Sequence, residues 1–465
     1  MQISVIAEKI SSLVWGNGTL LLILGTGIYL TIRLRFFQVR KFPEILQKTI
    51  FSLFKPCKKS KDKTSSTQLQ AISAALAASM GTGNIVGVAS ALAIGGPGAI
   101  FWMWVSAIFG MATSYAENFL GLYYYNLQEK QKKSVSEIEK STIEKKLEIG
   151  GVFLYFECGL QSEKAAIFFA LVCTFASFGI GNLTQANALA NAAAYFSVTP
   201  TVCGAIFALT VAIIAFMGSG MILRVTERIL PFITVFYIFG AVYLLITNIF
   251  ALPGCLMGIV KSAFGIEQAV GGFCGAIIKR SMTCGLQKGV FSNEAGMGSS
   301  VFAHTSGPCK DPVTMGCWGI FEVFLDTILC CTLTAAAILV TNSPIDAANP
   351  TQTVISAFET GLGRFAAPFV AFSIGIFAFA TLLSWIYYGE KSVRRLFISS
   401  EKSTKAALTV YRILYAAAVY IGCTSLPDIA WTVADILNGI QCIPNLAAIL
   451  LLSGKVTSDT DDLSP

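Results

Sequence analysis

Charge is scarce in this chain. Asp, Glu, Lys and Arg make up 13% of its 465 residues, about half of the roughly 25% usual in a soluble domain. So few charges cannot solvate the surface of a globule this size. Histidine is scarcer still, with His304 alone. The thirteen cysteines show no C-x-x-C spacing, and only Cys330 and Cys331 are adjacent. Both facts argue against a zinc site, and the cysteines read as small apolar residues. A membrane-embedded enzyme would need a nucleophile and base, or a metal cluster, within its spans. His304 falls outside the apolar segments, and no cysteine pairs with it by sequence. Gly81, Gly83 and Gly87 lack the spacing and the βαβ surroundings of a dinucleotide loop. The N-terminus also lacks the order of a cleaved signal peptide. Its apolar run Gly18–Ile32 is followed by Arg33, Arg35, Arg40 and Lys41, the order of a retained span that starts outside and ends in the cytoplasm.

What is abundant is apolar residue in long blocks: 54% of the chain, with a mean hydropathy of +0.68. A bilayer core of about 30 Å needs roughly 20 such residues per helical span. Eleven candidate segments follow one another: Gly18–Ile32, Leu69–Ile94, Gly98–Tyr123, Ala165–Ala194, Thr201–Met221, Ile229–Phe250, Ile266–Ser300, Trp318–Val340, Ala366–Tyr388, Ala406–Cys423 and Ile429–Leu452. Their loops alternate in charge. Lysines and arginines crowd 33–63, 126–164 and 391–405, whereas 195–200 carry no charge and 341–365 hold only Arg364 among basic residues. This is the positive-inside pattern. It predicts an all-α polytopic protein of about eleven transmembrane helices in the plasma (cell inner) membrane, with the N-terminus outside and the C-terminus in the cytoplasm. The pI near 8.7 points to no nucleic acid, because the basic excess sits in these short loops.

Two spans carry unusual glycine: Gly81-Thr82-Gly83-Asn84 in the second, and Gly271-Gly272-Phe273-Cys274-Gly275 in the seventh. Each glycine costs a helix interior about 1 kcal/mol relative to alanine, and in a membrane the freed backbone must find other partners. The two places are the first and sixth of the ten spans after the N-terminal one. Glycine-broken helices at matching places in two halves indicate an inverted-repeat transporter and its binding site. Close helix packing through Gly83 and Gly87 is the alternative for the first.

The runs Ala71-Ile72-Ser73-Ala74-Ala75-Leu76-Ala77-Ala78-Ser79-Met80-Gly81-Thr82-Gly83-Asn84, Gly95-Gly96-Pro97-Gly98, Leu183-Thr184-Gln185-Ala186-Asn187, Gly289-Val290-Phe291-Ser292-Asn293-Glu294-Ala295-Gly296-Met297-Gly298 and Trp385-Ile386-Tyr387-Tyr388-Gly389-Glu390 occur in this order across most of the chain. Together they resemble the signature of the alanine or glycine:cation symporter family. The resemblance implies a LeuT-type fold, with two inverted repeats of five helices after one extra N-terminal helix. On that pattern residues 1–66 hold the extra helix and a basic loop. Residues 67–250 form the first repeat, broken at 81–84, and 251–453 the second, broken near 271–275; 454–465 are a cytoplasmic tail.

The implied cargo is alanine or glycine, moved with a sodium ion as co-substrate; no cofactor is expected, and the lipid bilayer is the other partner. A zwitterion near the midplane must have both charges satisfied. The half-helix starting near Asn84 offers free N–H groups and a positive dipole end, so Thr82, Gly83 and Asn84 are expected to hold the carboxylate. Carbonyls near Gly272 and Phe273, with the Gln185 side chain, are expected to hold the ammonium; a buried amide that merely ties helices together is the alternative for Gln185. The family pattern sets Trp385 against the pocket as a wall with Phe273, whereas an interfacial anchor is its other reading. LeuT-type carriers build a sodium site between the first and eighth core helices. Here it would use carbonyls near Ala78 and Gly81 with the hydroxyls of Thr381 and Ser384. Ala380 stands where the family usually has serine, and Ser384 where it commonly has glycine, so proton coupling stays open. Glu117, Glu322 and Asp326 are either functional or paired with Arg or Lys at helix ends. Asn293 and Glu294 are expected after the broken seventh span near a cytoplasmic gate, and His304 in a short inner loop with a structural role. A channel or sensor without transport is the remaining rival.

Overall fold

A computed structural model describes residues 9–53, 67–265, 274–425 and 427–461. The described residues contain no strand. Eight helices among them are long and apolar enough to cross a membrane: Gln68–Gly95, Gly98–Gln131, Glu163–Ala194, Ser219–Thr247, Pro312–Val340, Ala366–Leu396, Glu401–Thr424 and Ala430–Ser458. Three of the eleven expected segments fall outside this set. Gly18–Ile32 forms the 17-residue helix α1, Asn17–Arg33, and Thr201–Met221 yields the short apolar helix Pro200–Phe216. The seventh is interrupted, as described below.

The first long span is two helices. α2, Gln68–Ser79, opens on a capping box in which the Thr67 hydroxyl accepts from the Gln70 N–H and the Gln70 side chain accepts from the Thr67 N–H. Such a reciprocal pair satisfies two orphan donors at a helix start. The chain leaves helix at Met80–Thr82, re-enters through a π-helical turn, Gly83–Gly87, and continues as α3, Val88–Gly95. The Thr82 carbonyl accepts from both Val86 and Gly87 N–H groups (2.7 and 3.0 Å), which creates the wide turn. In this span 94% of the apolar window is buried, against 33% in Ser219–Thr247. The broken span is therefore the centre of the bundle, and Ser219–Thr247 faces lipid with Phe232, Val235, Phe239 and Ile246.

Around this centre lie α4 (Gly98–Gln131), α5 (Glu163–Phe178), a π-helical turn at Gly179–Leu183 and α6 (Thr184–Ala194). α7 (Cys274–Asn293) precedes a short helix, α8 (Ser300–His304). The long helices α9 (Ala366–Leu396) and α10 (Pro427–Asp461) complete the frame. Small residues let the backbones approach, as is usual where apolar burial gives no drive between helices in lipid. A Cβ on Gly289 of α7 would come within 2.9 Å of Ser106 Cβ on α4, and one on Gly319 within 2.7 Å of the Ser114 carbonyl on the same helix.

The break expected near 271–275 falls mostly outside the described residues. Cys274 and Gly275 themselves begin the uninterrupted helix α7. Among the described residues, this part of the chain is interrupted at 294–299. There Glu294, Gly296 and Gly298 adopt φ of +56, +88 and +71°, a region that helix cannot use and that side chains disfavour.

Candidate functional site

The first break is held by side chains from other helices. Gln185 Oε1 on α6 accepts from the Thr82 N–H at 3.1 Å and from the Thr82 hydroxyl at 2.9 Å. Its Nε2 donates to the Ile180 carbonyl at 2.9 Å. Thr82 N–H thus turns away from the Ala78 carbonyl four residues back. Gly81 N–H bonds Ser79, which leaves the Ala77 carbonyl to accept from Thr381 Oγ1 of α9 at 2.7 Å. A Cβ on Gly81 would lie 3.1 Å from Gln185 Oε1 and closer still to Thr381 Oγ1. The structure therefore brings Thr82, Gly81, Gln185 and Thr381 into one contact group, with Ala78 just behind it.

The next residues face the second interruption. A Cβ on Gly83 would come within 2.9 Å of Ser292 Cα and 3.3 Å of Phe291 Cδ1. The Asn84 carbonyl accepts from Thr334 Oγ1 at 2.8 Å, but neither polar atom of its fully buried side chain has a partner among the described residues. Ser292 donates to Asp326 Oδ2 at 2.6 Å, and Thr327 donates to the same oxygen at 2.8 Å. Asp326 Oδ1 is left without a partner among the described residues. Ser384 Oγ, one turn from Thr381 and fully buried, is likewise unpaired. Carbonyls at the end of a half-helix and orphaned buried oxygens are what a hard cation requires.

Gly272 and Phe273 lie outside the described residues. The aromatic ring that meets Gly83 is Phe291, which local sequence reasoning passed over although it stands in a quoted motif. Trp385 is fully buried in the middle of α9, not at an interface. Its indole N–H donates to Glu294 Oε1 at 2.9 Å. Asn293 thus ends α7 and Glu294 opens the interruption, in contact with Trp385. His304 is not in a loop: it lies fully buried on α8, its Nε2 2.8 Å from Glu322 Oε1. Glu117 Oε2 accepts from the Gly298 N–H at 3.0 Å and from Asn445 Nδ2 at 2.9 Å. None of Glu117, Glu322 and Asp326 meets Arg or Lys among the described residues: Glu117 bonds the second interruption, Asp326 bonds Ser292 beside it, and Glu322 faces His304.

A buried ion pair was not foreseen. On α7, one turn before Phe291, Lys288 Nζ lies 3.0 Å from Asp435 Oδ2 of α10. It also sits 4.8 Å from the Trp431 ring centre and 5.5 Å from that of Phe291. These two rings are themselves 4.9 Å apart. The pair and the rings cover the Gly83–Ser292 contact on the side where α7 begins. The signal for it was available as two ionisable residues inside apolar segments.

This arrangement, a doubly broken helical core with polar groups gathered at both breaks, is that of a LeuT-type carrier, and the comparisons agree. The profile of the Sodium:alanine symporter family matches residues 1–464. The chain belongs to that family. It is 38% identical to the sodium/alanine symporter AgcS of Methanococcus maripaludis, over 98% of this chain and 96% of that protein. It is 36% identical to the probable sodium/glutamine symporter GlnT of Bacillus subtilis, over 97% and 89%. The solved structure of MhsT in complex with L-phenylalanine superposes with a TM-score of 0.52 at 14% identity, covering 84% of this chain and all of that one; this likeness shows the shared fold. The protein is a multi-pass membrane transporter and not an enzyme.

Proposed function

We propose that this symporter-family chain moves a small neutral amino acid, alanine or glycine, together with sodium by alternating access across the plasma membrane. The observation that carries the reading is the bond between Thr82 and Gln185. Both Thr82 donors meet a single amide oxygen in a fully buried break, and these are the donors that a carboxylate would take from it. Gln185, so released, becomes an acceptor for the ammonium. Phe291 packs against Gly83, and Trp385 against Gly181 beside the Gln185 anchor; these two rings would be the walls that restrict the cargo to a small side chain. Sodium would lie by the Ala78 carbonyl, Gly81, Thr381 and Ser384. The buried Oδ1 atoms of Asn84 and Asp326, without partners among the described residues, offer further oxygen donors. Full-length family kinship to a sodium/alanine symporter supports the same cargo.

The driving forces suffice. One positive charge moving through 100 mV yields about 2.3 kcal/mol, and a tenfold ion gradient adds about 1.4 kcal/mol. One ion per zwitterion thus sustains a substrate gradient of several hundredfold. The test is uptake into proteoliposomes with an imposed sodium gradient, with alanine, glycine, serine and glutamine as competitors. Saturable alanine uptake that collapses when sodium is replaced by potassium is the expected result. Uptake that follows a proton gradient alone would assign the coupling to protons, and strongest competition by glutamine would reassign the cargo.

A further inference from the structure

Trp385 is gripped from several directions. One face of its side chain presses on Gly181 in the π-helical turn, where any Cβ would overlap Trp385 Cβ and Cγ and lie 2.8 Å from Cδ2. The Tyr388 ring stands edge-on at 5.6 Å. Neither contact selects which way the indole N–H points, because the terminal torsion of an aromatic side chain has a broad profile. The one polar contact does: Nε1–H to Glu294 Oε1. Glu294 is itself fixed. Its N–H donates to the Val290 carbonyl at 2.9 Å and its carbonyl accepts from Met297 at 3.0 Å. Its second carboxylate oxygen accepts from the Ser299 hydroxyl. It holds φ of +56°, a conformation that a residue with a side chain adopts only when its surroundings demand it.

We infer that Glu294 is the positioning residue for the pocket wall: its carboxylate holds the Trp385 indole in the orientation that admits a small side chain and excludes a larger one. The inference rests on Trp385 being that wall. Through Gly181 the same indole abuts the turn whose Ile180 carbonyl anchors Gln185, so one network sets both the wall and the polar end of the site. The acceptor, not the charge, does the positioning. Glutamine at 294 would offer an oxygen to the indole and an N–H to Ser299, and so replace glutamate, whereas alanine would not.

The experiment compares leucine and alanine uptake by the full-length carrier in proteoliposomes. Glu294→Gln is expected to keep the wild-type ratio. Glu294→Ala is expected to raise the leucine-to-alanine ratio by about tenfold, the scale of one apolar group in a pocket. Trp385→Phe, which keeps a ring but has no N–H, should raise it comparably and carries the test if Glu294→Ala does not fold. The double variant Glu294→Ala, Trp385→Phe should add nothing further, since residues acting through one contact are not additive. An unchanged ratio in Glu294→Ala, additive effects in the double variant, or Glu294→Gln behaving as Glu294→Ala would each overturn the role. If Trp385→Ala widens the range and Glu294→Ala does not, the wall stands and the positioning role falls.

A second measurement needs no cargo, and so separates this inference from the assignment of alanine. In nanodiscs with 15N-labelled tryptophan, the chain's six indoles give N–H signals, and that of Trp385 is the one lost in Trp385→Phe. Its hydrogen exchange should be slow in the wild type and in Glu294→Gln and at least about tenfold faster in Glu294→Ala, as expected when a buried hydrogen bond is removed. Equal rates would overturn the inference even if alanine uptake is confirmed.

Discussion

The break at Met80–Thr82 covers three residues, and its partners come from other helices: Gln185 bonds Thr82, Thr381 bonds the Ala77 carbonyl and Thr334 the Asn84 carbonyl. The interruption at 294–299 covers six residues, and three of them lie in the left-handed region. It is held by groups with no evident exchange partner: Glu117 on the Gly298 N–H, Asn445 on the Gly296 carbonyl and Gln441 on the Met297 carbonyl. Backbone groups freed at both breaks find side-chain partners, as the membrane interior requires. At the first break, the Thr82–Gln185 contact is the one that a zwitterion would replace on the proposed reading. The second keeps its partners, and Phe291, at the end of the helix that leads into it, meets Gly83 beside the first. On the proposed reading, one break exchanges partners and the other keeps them.

That contrast can be broken most forcefully at Lys288, on the helix that leads into the second interruption. Lys288→Met leaves Asp435 buried and unpaired, and removing one partner of such a pair costs about 3–5 kcal/mol. Thermal unfolding in detergent should show this loss, with most of it regained in Lys288→Met, Asp435→Leu; an unchanged unfolding temperature in the single variant would mean that α7 is not pinned there. Gln185→Ala tests the exchangeable break. It should lower alanine uptake by about a hundredfold or more, because Thr82 donors lose their partner, while the unfolding temperature changes little. If stability falls in parallel with uptake, Gln185 is a tie between helices instead. Gly296→Ala tests the second interruption. The added Cβ meets φ of +88° and Leu446 Cδ2 at 2.8 Å, so a loss of about 1–2 kcal/mol is expected, read as a lower unfolding temperature with near-normal uptake per folded molecule. The smallest effect is on the ion. Thr381→Ala and Asp326→Asn should each raise the sodium concentration for half-maximal uptake by about three- to tenfold, on the order of one hydrogen-bond-scale interaction. A change in only one of them would show which side of the first break sodium uses.

Much of the fold was legible because spans write themselves in hydropathy and loop charge. The first break was legible because Gly81-Thr82-Gly83 interrupts an otherwise helical apolar run. The interruption at 294–299 carries the same kind of signal, Gly296-Met297-Gly298, which was not singled out beside the denser glycines at 271–275. What local pattern cannot carry is pairing across distance. Thr82 and Gln185 are 103 residues apart, Glu294 and Trp385 91, and Lys288 and Asp435 147. Hydrophobic periodicity fixes which face of a helix is buried, not which polar group waits on the neighbour. His304 was misplaced for a related reason: its helix, Ser300–His304, is too short to announce itself by period, and its partner Glu322 lies on another span.

One contact ties the N-terminal segment to α10. Ahead of α1, Trp15 donates its indole N–H to the Asp435 carbonyl at 2.8 Å, and a Cβ on Gly439 would strike Val14 and come within 3.2 Å of Trp15 Nε1. The same segment also packs on α4, where a Cβ on Gly27 would lie 2.7 Å from Phe109 Cβ and Gln38 donates to the Ile108 carbonyl. The N-terminal segment therefore bridges α4 and α10, two helices from opposite ends of the chain.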